Sequence, residues 1–153
     1  LSLGGTMELL DHLRNVELFK GLTDDELSEI CKLCNSRQLK VGEELITEGD
    51  IGKEFYLITE GSVKVVVGTS QPTPRTVIHM GEGQLIGEMA LIDQGRRSAT
   101  VRAIQDPTRV QIIQNDDFQD LCERNTNVGY VVMRNMAADL SFKLRHLNLI
   151  KNS

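Results

Sequence analysis

Histidine is scarce in this sequence. The 153 residues contain three, His12, His79 and His146, and they fall in three separate regions of the chain. A barrel-type metalloenzyme needs several histidines and a carboxylate converging on one ion, so neither a metal site nor a cofactor is expected. Cysteine is equally sparse, and Cys31, Cys34 and Cys122 cannot make a disulfide framework. The Cys31-x-x-Cys34 spacing lacks the second pair or the histidines that would complete a zinc site. Both thiols fall in an amphipathic pattern with Leu27, Ile30 and Leu33 and read as buried helix residues. Free thiols suit a reducing, cytoplasmic compartment. No apolar run is long enough to span a membrane, and no signal peptide is visible. No G-x-S-x-G occurs and no base stands beside a thiol, so the chain is not expected to be an enzyme. Positive charge is short as well. Seventeen Lys and Arg against 22 Asp and Glu leave a net charge of -5, which argues against nucleic acid or an anionic membrane as partner.

What remains is ordinary for a globular protein, with 40% hydrophobic and 25% charged residues, enough for one domain with a sizeable core. Leu1 to Thr6, ahead of Met7, read as an added leader outside the fold. Residues 7–35 carry a helical period, with a short helix over Met7–Asn15. A second helix is capped by Thr23, with Glu26 three residues on completing a capping box, and is expected to run to about Asn35. From Ser36 to Gln114 the period is that of strands cut by glycine or Glu-Gly turns. The expected strands are Arg37–Val41, Glu44–Thr47, Glu54–Thr59, Ser62–Val67, Thr76–Met80, Ser98–Ile104 and Arg109–Ile113, with an exposed tip at Gln71–Pro74. Turn signals roughly every 8–12 residues indicate an antiparallel sandwich or barrel. The helical period returns over 115–150: Asn115 or Asp116 caps one helix, and a long final helix spans Val128 to about Ile150. In that helix Tyr130, Met133, Ala137, Leu140, Leu144 and Leu147 form a seam of a and d positions. With Phe142 and Leu149 lying off the seam, the helix suits either packing on its own domain alone or a second contact, with another subunit in a homodimer or with a bound ligand.

The chemistry is concentrated between Gly81 and Ala103. Four glycines free the backbone, and Gly87-Glu88 opens a short apolar turn to Ile92. Arg96 and Arg97 then stand directly before a β-branched run. Exposed N–H groups at a helix start and an arginine fork both favour an anion such as phosphate. The Glu88 carboxylate is an acceptor only and wants hydroxyl or N–H donors from a ligand. Ser98 adds a hydroxyl, and Ala99 keeps the approach small. A ribose phosphate satisfies both ends. The alternative is that Glu88 and Arg97 pair with each other across the loop.

The order of these residues, Gly87-Glu88-Met89-Ala90-Leu91-Ile92 followed by Arg96-Arg97-Ser98-Ala99-Thr100-Val101, resembles the phosphate-binding cassette of the cyclic nucleotide-binding domain family. That family includes the catabolite activator and protein kinase A regulatory subunit types. Gly42-Glu43, Glu48-Gly49-Asp50 with Gly52, Phe55-Tyr56-Leu57-Ile58 and Gly61-Ser62-Val63-Lys64-Val65 match its glycine-punctuated strands, so the resemblance covers residues 16–150. It implies a mainly β fold: an antiparallel jelly-roll barrel (a double-stranded β-helix) with N-terminal helices and a long C-terminal helix.

By the same resemblance, Glu88 accepts from the ribose 2′-hydroxyl and Arg97 binds the exocyclic oxygens of the cyclic phosphate. Ser98 and the backbone N–H groups of Gly87, Glu88 and Ala99 assist. Val65 and Val77 flank the base, and Lys143 or Arg145 caps it when the last helix closes as a lid. Arg96 stands where the family commonly has proline and is the competing candidate for the phosphate. The implied function is a sensor for cAMP, or for cGMP, that signals through its last helix. It is expected as a stand-alone module or as a piece of a longer protein. The alternative is a ligand-independent interaction domain that keeps the fold.

Overall fold

The computed structural model describes the backbone of residues 3–68, 72, 76–93 and 95–152, and the side chains of residues 7–68, 72, 77–93 and 95–147. Residues 32–119 form a β-rich unit. Residues up to Cys31, together with those from Asp120 onward, form a helical unit.

The β-rich unit contains eight strands: β1 (Asn35–Leu39), β2 (Glu44–Ile46), β3 (Glu54–Glu60), β4 (Ser62–Val67), β5 (Thr76–Gly81), β6 (Leu85–Ile86), β7 (Thr100–Ala103) and β8 (Thr108–Gln114). They pair antiparallel into two four-stranded sheets of order β1-β8-β3-β6 and β2-β7-β4-β5. Leu39, Tyr56, Ile58, Ile86 and Val110 from the first sheet pack with Leu45, Ile46, Val63, Val101 and Ala103 from the second. One face of each sheet is therefore spent on a common core, as the two-residue side-chain period requires. Among the described residues the ladders form two facing sheets and not one closed ring, a jelly-roll-like sandwich. Phe55, on the other face of β3, meets Phe118 edge-on with ring centroids 5.4 Å apart.

Several boundaries differ from the expected ones. The second helix, α2, spans Asp24–Cys31, because β1 already begins at Asn35 and pairs with β8 from Asn35↔Ile112 onward. Cross-strand pairing overrides local helical periodicity there. Cys34 therefore lies outside the helix, and all three cysteines are reduced and half-buried, not fully buried. Burial pushes the Cys31 and Cys122 thiols above the usual range, which makes them poor nucleophiles. The first helix, α1, starts at Leu3 and so includes part of the segment expected to lie outside the fold. Strand β6 was not expected at all. Of the Gln71–Pro74 tip, only Pro72, exposed, is among the described residues.

The helical unit comprises α1 (Leu3–Arg14), a 3₁₀ turn over Glu17–Phe19, α2, the later part of α3 (Asn115–Arg124), and α4 (Thr126–Asn152). Asn125 caps α4, its side-chain oxygen accepting from the N–H groups of Asn127 and Val128 at 3.1 and 3.4 Å. The buried stripe of α4 is Val128, Val132 and Met136, and Asn135 donates to the carbonyls of Leu18 and Lys20 at 2.8 and 2.9 Å. The seam read from the sequence is a different face. Tyr130, Met133, Ala137, Leu144 and Leu147 are exposed and Leu140 is half-buried.

The capping box forms as expected. Glu26 N–H donates to Thr23 Oγ1 at 3.2 Å, and Thr23 N–H donates to Glu26 Oε1 at 3.1 Å. Asn127 Nδ2 also donates to both Glu26 oxygens, at 3.1 and 2.9 Å, tying α2 to the start of α4. The Asn127 amide first, then the Thr23 N–H, hold the Glu26 carboxyl below its usual value of 4.5. A folded-state value below the unfolded one means that the unfolded chain binds the proton more readily. The stabilisation is complete above the unfolded value and is lost as pH falls through the folded one. Urea unfolding measured as a function of pH is therefore expected to show falling stability below pH 4.5, with a shallower fall in Glu26→Gln.

Candidate functional site

Arg97 lies in the segment between β6 and β7, and two backbone hydrogen bonds fix where it goes. Its N–H donates to the Asp50 carbonyl at 2.6 Å, and the Gly49 N–H donates back to the Arg97 carbonyl at 2.9 Å. The approach to β7 is thus zipped onto the loop between β2 and β3. Its side chain then turns to β3, where Nη2 donates to the Glu54 carbonyl at 2.5 Å, and Nη1 reaches the Gly87 carbonyl at 3.4 Å. The guanidinium carbon stands 6.0 Å from the centre of the Tyr56 ring, at the limit of cation–π attraction.

Two glycines make room for it. A Cβ on Gly52 would lie 2.9 Å from the guanidinium carbon, and one on Gly87 would lie 2.6 Å from Nη1. Gly87 also has φ +77°, a left-handed conformation that favours glycine. It sits there because the chain turns directly from β6 into a 3₁₀ turn over Glu88–Leu91. Strand β6 pairs with β3 through Tyr56↔Ile86 and Leu57↔Leu85, which brings Gly87 beside the start of β3. The expected short helix from Glu88 to Ile92 is thus a single tight turn. Asn115, buried at the start of α3, donates from its backbone N–H to the Lys53 carbonyl at 3.0 Å. Its Nδ2 lies 3.4 Å from the Gly52 carbonyl and 3.5 Å from the Ala90 carbonyl.

Arg97 borders a cavity of about 290 Å³. Leu45, Ile46 and Tyr56 supply apolar wall, while Lys53, Glu54 and Gln114 supply polar groups. Among the described residues, the Arg97 guanidinium donates to two neutral carbonyls and lies beside an aromatic ring. Carbonyl acceptors orient the guanidinium without neutralising it, so its charge remains for an anion.

The other residues of the sequence reading divide in two. Glu88 opens the 3₁₀ turn half-buried, Ala99 is half-buried and Ser98 is exposed; all three adjoin Gly87 or Arg97 in the chain. Arg96 is exposed, and its Nη1 donates to the Gly49 carbonyl at 2.8 Å, so it borders the loop and not the cavity. Val65 packs against the core between the sheets. Its cross-strand partner is Ile78, whereas Val77 is paired with Val66 and so points to the opposite face of the sheet. Ile78, half exposed, is the residue that shares a face with Val65. Lys143 and Arg145 are exposed on α4 in the helical unit, and Lys143 pairs with Asp139 at 2.9 Å. The sequence reading quoted Gly52 and Tyr56 only as part of the strand pattern, and it did not single out Glu54, Ile78 or Gln114. The alternation of Glu54 and Tyr56 on one strand was visible, but the strands opposite them were not.

Among the described residues no cluster of three or more metal-ligating side chains occurs. No helix among them is long and apolar enough to cross a membrane.

Comparison with known proteins accords with this geometry. The cyclic nucleotide-binding domain family model matches residues 36–125. The cyclic AMP receptor protein of Thermus thermophilus is 31% identical over 137 residues, covering 90% of this chain and 61% of that protein. The cGMP-dependent protein kinase 2 of Mus musculus is 30% identical over 112 residues, covering 72% of this chain and 15% of the kinase. This chain thus spans less than two thirds of either relative. Among solved structures, the N-terminal domain of a transcriptional regulator from Streptomyces coelicolor A3(2) superposes with a TM-score of 0.78 at 29% identity. That match covers 87% of this chain and 94% of the other. With the jelly-roll scaffold, the glycine-cut strands and the arginine-bearing loop in place, the chain belongs to the cyclic nucleotide-binding domain family.

Proposed function

We propose that this domain is a regulatory sensor that binds cAMP, with cGMP as the competing ligand, and that it performs no catalysis. The observation that carries the reading is the Arg97 guanidinium, oriented at a cavity edge by the Glu54 and Gly87 carbonyls. A cyclic phosphate offers two anionic exocyclic oxygens in place of neutral carbonyls. Charge-assisted, bidentate contacts are roughly twice as strong as neutral ones. Glu88 would accept from the ribose 2′-hydroxyl, with Ser98 and the N–H groups of Gly87, Glu88 and Ala99 assisting. Ile78 joins Val65 as the apolar neighbour of the base in place of Val77. Arg96, already on the Gly49 carbonyl, is assigned to the loop and not to the phosphate. The preference for cAMP rests on the relative that aligns with 90% of the chain.

Isothermal titration is expected to show saturable binding of cAMP in the micromolar range or tighter. Arg97→Ala is expected to cost about 2–5 kcal/mol of binding free energy, and Arg96→Ala less than about 1 kcal/mol. Failure of the wild-type protein to bind either nucleotide would leave the ligand-independent interaction domain as the function. Wild-type affinity in Arg97→Ala, with loss in Arg96→Ala, would move the phosphate contact to Arg96.

We further assign the exposed face of α4 to self-association. Tyr130 is 64% and Leu144 is 60% exposed, and with Met133, Ala137, Leu140 and Leu147 they continue an a/d pattern. Sedimentation is expected to show a homodimer that Leu140→Asp combined with Leu144→Asp converts to a monomer. A monomer with and without nucleotide would refute it.

A further inference from the structure

Glu54 presents two groups to the site, and they act in opposite directions. Its carbonyl orients Arg97. Its carboxylate borders the same cavity as the guanidinium and is the natural ion-pair partner of an arginine. That pair is not formed among the described residues, and each carboxylate oxygen is instead turned to a neutral donor. Tyr56, two residues along the same strand and so on the same face, donates its hydroxyl to Oε1 at 2.5 Å. Gln114, directly across from Glu54 in the β3–β8 register, donates Nε2 to Oε2 at 2.7 Å.

We propose that Tyr56 and Gln114 are positioning residues that hold the Glu54 carboxylate off Arg97, keeping the guanidinium available to the ligand's phosphate. The inference rests on the cyclic-nucleotide reading of the site. The chemistry of the restraint is self-consistent. Burial first, then the hydrogen bond to Glu54, push the Tyr56 phenol well above its ordinary range, and the nearby Arg97 charge opposes this only partly. The phenol thus stays protonated, and remains a donor, throughout the neutral range. Tyr56 is itself 2% exposed, so its hydroxyl has little water to turn to, and the ring that carries it also faces Arg97. Release of either donor would let the carboxylate swing to the guanidinium. The phosphate would then have to displace a charge-assisted contact instead of two carbonyls.

Removing the restraint and removing the charge should therefore have opposite consequences. In titrations of the complete chain with cAMP, Tyr56→Phe is expected to weaken binding roughly 5- to 20-fold. Adding Glu54→Gln to it is expected to restore affinity to within about twofold of Glu54→Gln alone. In the Arg97→Ala background, Tyr56→Phe is expected to have no further effect. A role confined to packing would not be rescued by a second substitution at Glu54. Should thermal melting show that Tyr56→Phe does not fold, Gln114→Met removes the other donor and is subject to the same rescue. Wild-type affinity in the folded single variant, or a double variant as weak as the single, overturns the proposal. If wild-type protein binds and Arg97→Ala does not, that failure leaves the assigned function standing. If the wild-type protein binds neither nucleotide, both fall together.

Discussion

A guanidinium held by neutral acceptors at the edge of a cavity is the constraint on which the rest of this structure depends. Arg97 meets carbonyls from Glu54 and Gly87, residues far apart in the chain, and the scaffold is arranged so that the three coincide. Strand β3 lies between β8 and β6 in its sheet, and its first residue is set opposite Gln114 of β8. The Tyr56↔Ile86 pairing brings Gly87 alongside. The contacts of Asp50 and Gly49 with the Arg97 backbone bring the arginine from the other direction. Gly52 and Gly87 must lack side chains for the guanidinium to fit. An orienting set of carbonyls fixes the guanidinium without neutralising it, which is the arrangement the proposed phosphate contact requires.

Much of this was legible in the sequence, and the reasons are local ones. Strand β4 has the bounds that alternation and flanking glycines indicate, and the Thr23–Glu26 box needs only a spacing of three residues. The Gly87-Glu88 turn and the Arg97-Ser98-Ala99 register are also contiguous motifs. What was not legible depends on partners distant in sequence. Strand β6 is two residues long, too short for any period, and exists because β3 offers it hydrogen bonds. The end of α2 at Cys31 is set by where β1 begins to pair with β8, since the residues themselves continue an amphipathic pattern. The exchange of Val77 for Ile78 beside Val65 turns on a one-residue register, which reverses the face of every side chain in the strand. Glu54, Tyr56 and Gln114 form a network only because Gln114 lies opposite Glu54 across sixty residues of chain.

The helical unit carries a comparable division of labour. Val128, Val132 and Met136 are buried in it, and Glu26, Asn125 and Asn127 tie the start of α4 in place. The a/d seam, in contrast, lies largely on the exposed side. A helix that packs with one stripe and exposes a second apolar stripe has a surface to give to another chain.

The central claim is that Arg97 exchanges its carbonyl partners for the phosphate of a cyclic nucleotide. A crystal structure of the protein with cAMP tests this most directly. The account predicts exocyclic phosphate oxygens within hydrogen-bond distance of the Arg97 guanidinium, the ribose 2′-hydroxyl on Glu88, and the Glu54 carboxylate still held by Tyr56 and Gln114. A nucleotide whose phosphate lies against Arg96, or away from the loop while Arg97 keeps the Glu54 and Gly87 carbonyls, would contradict it.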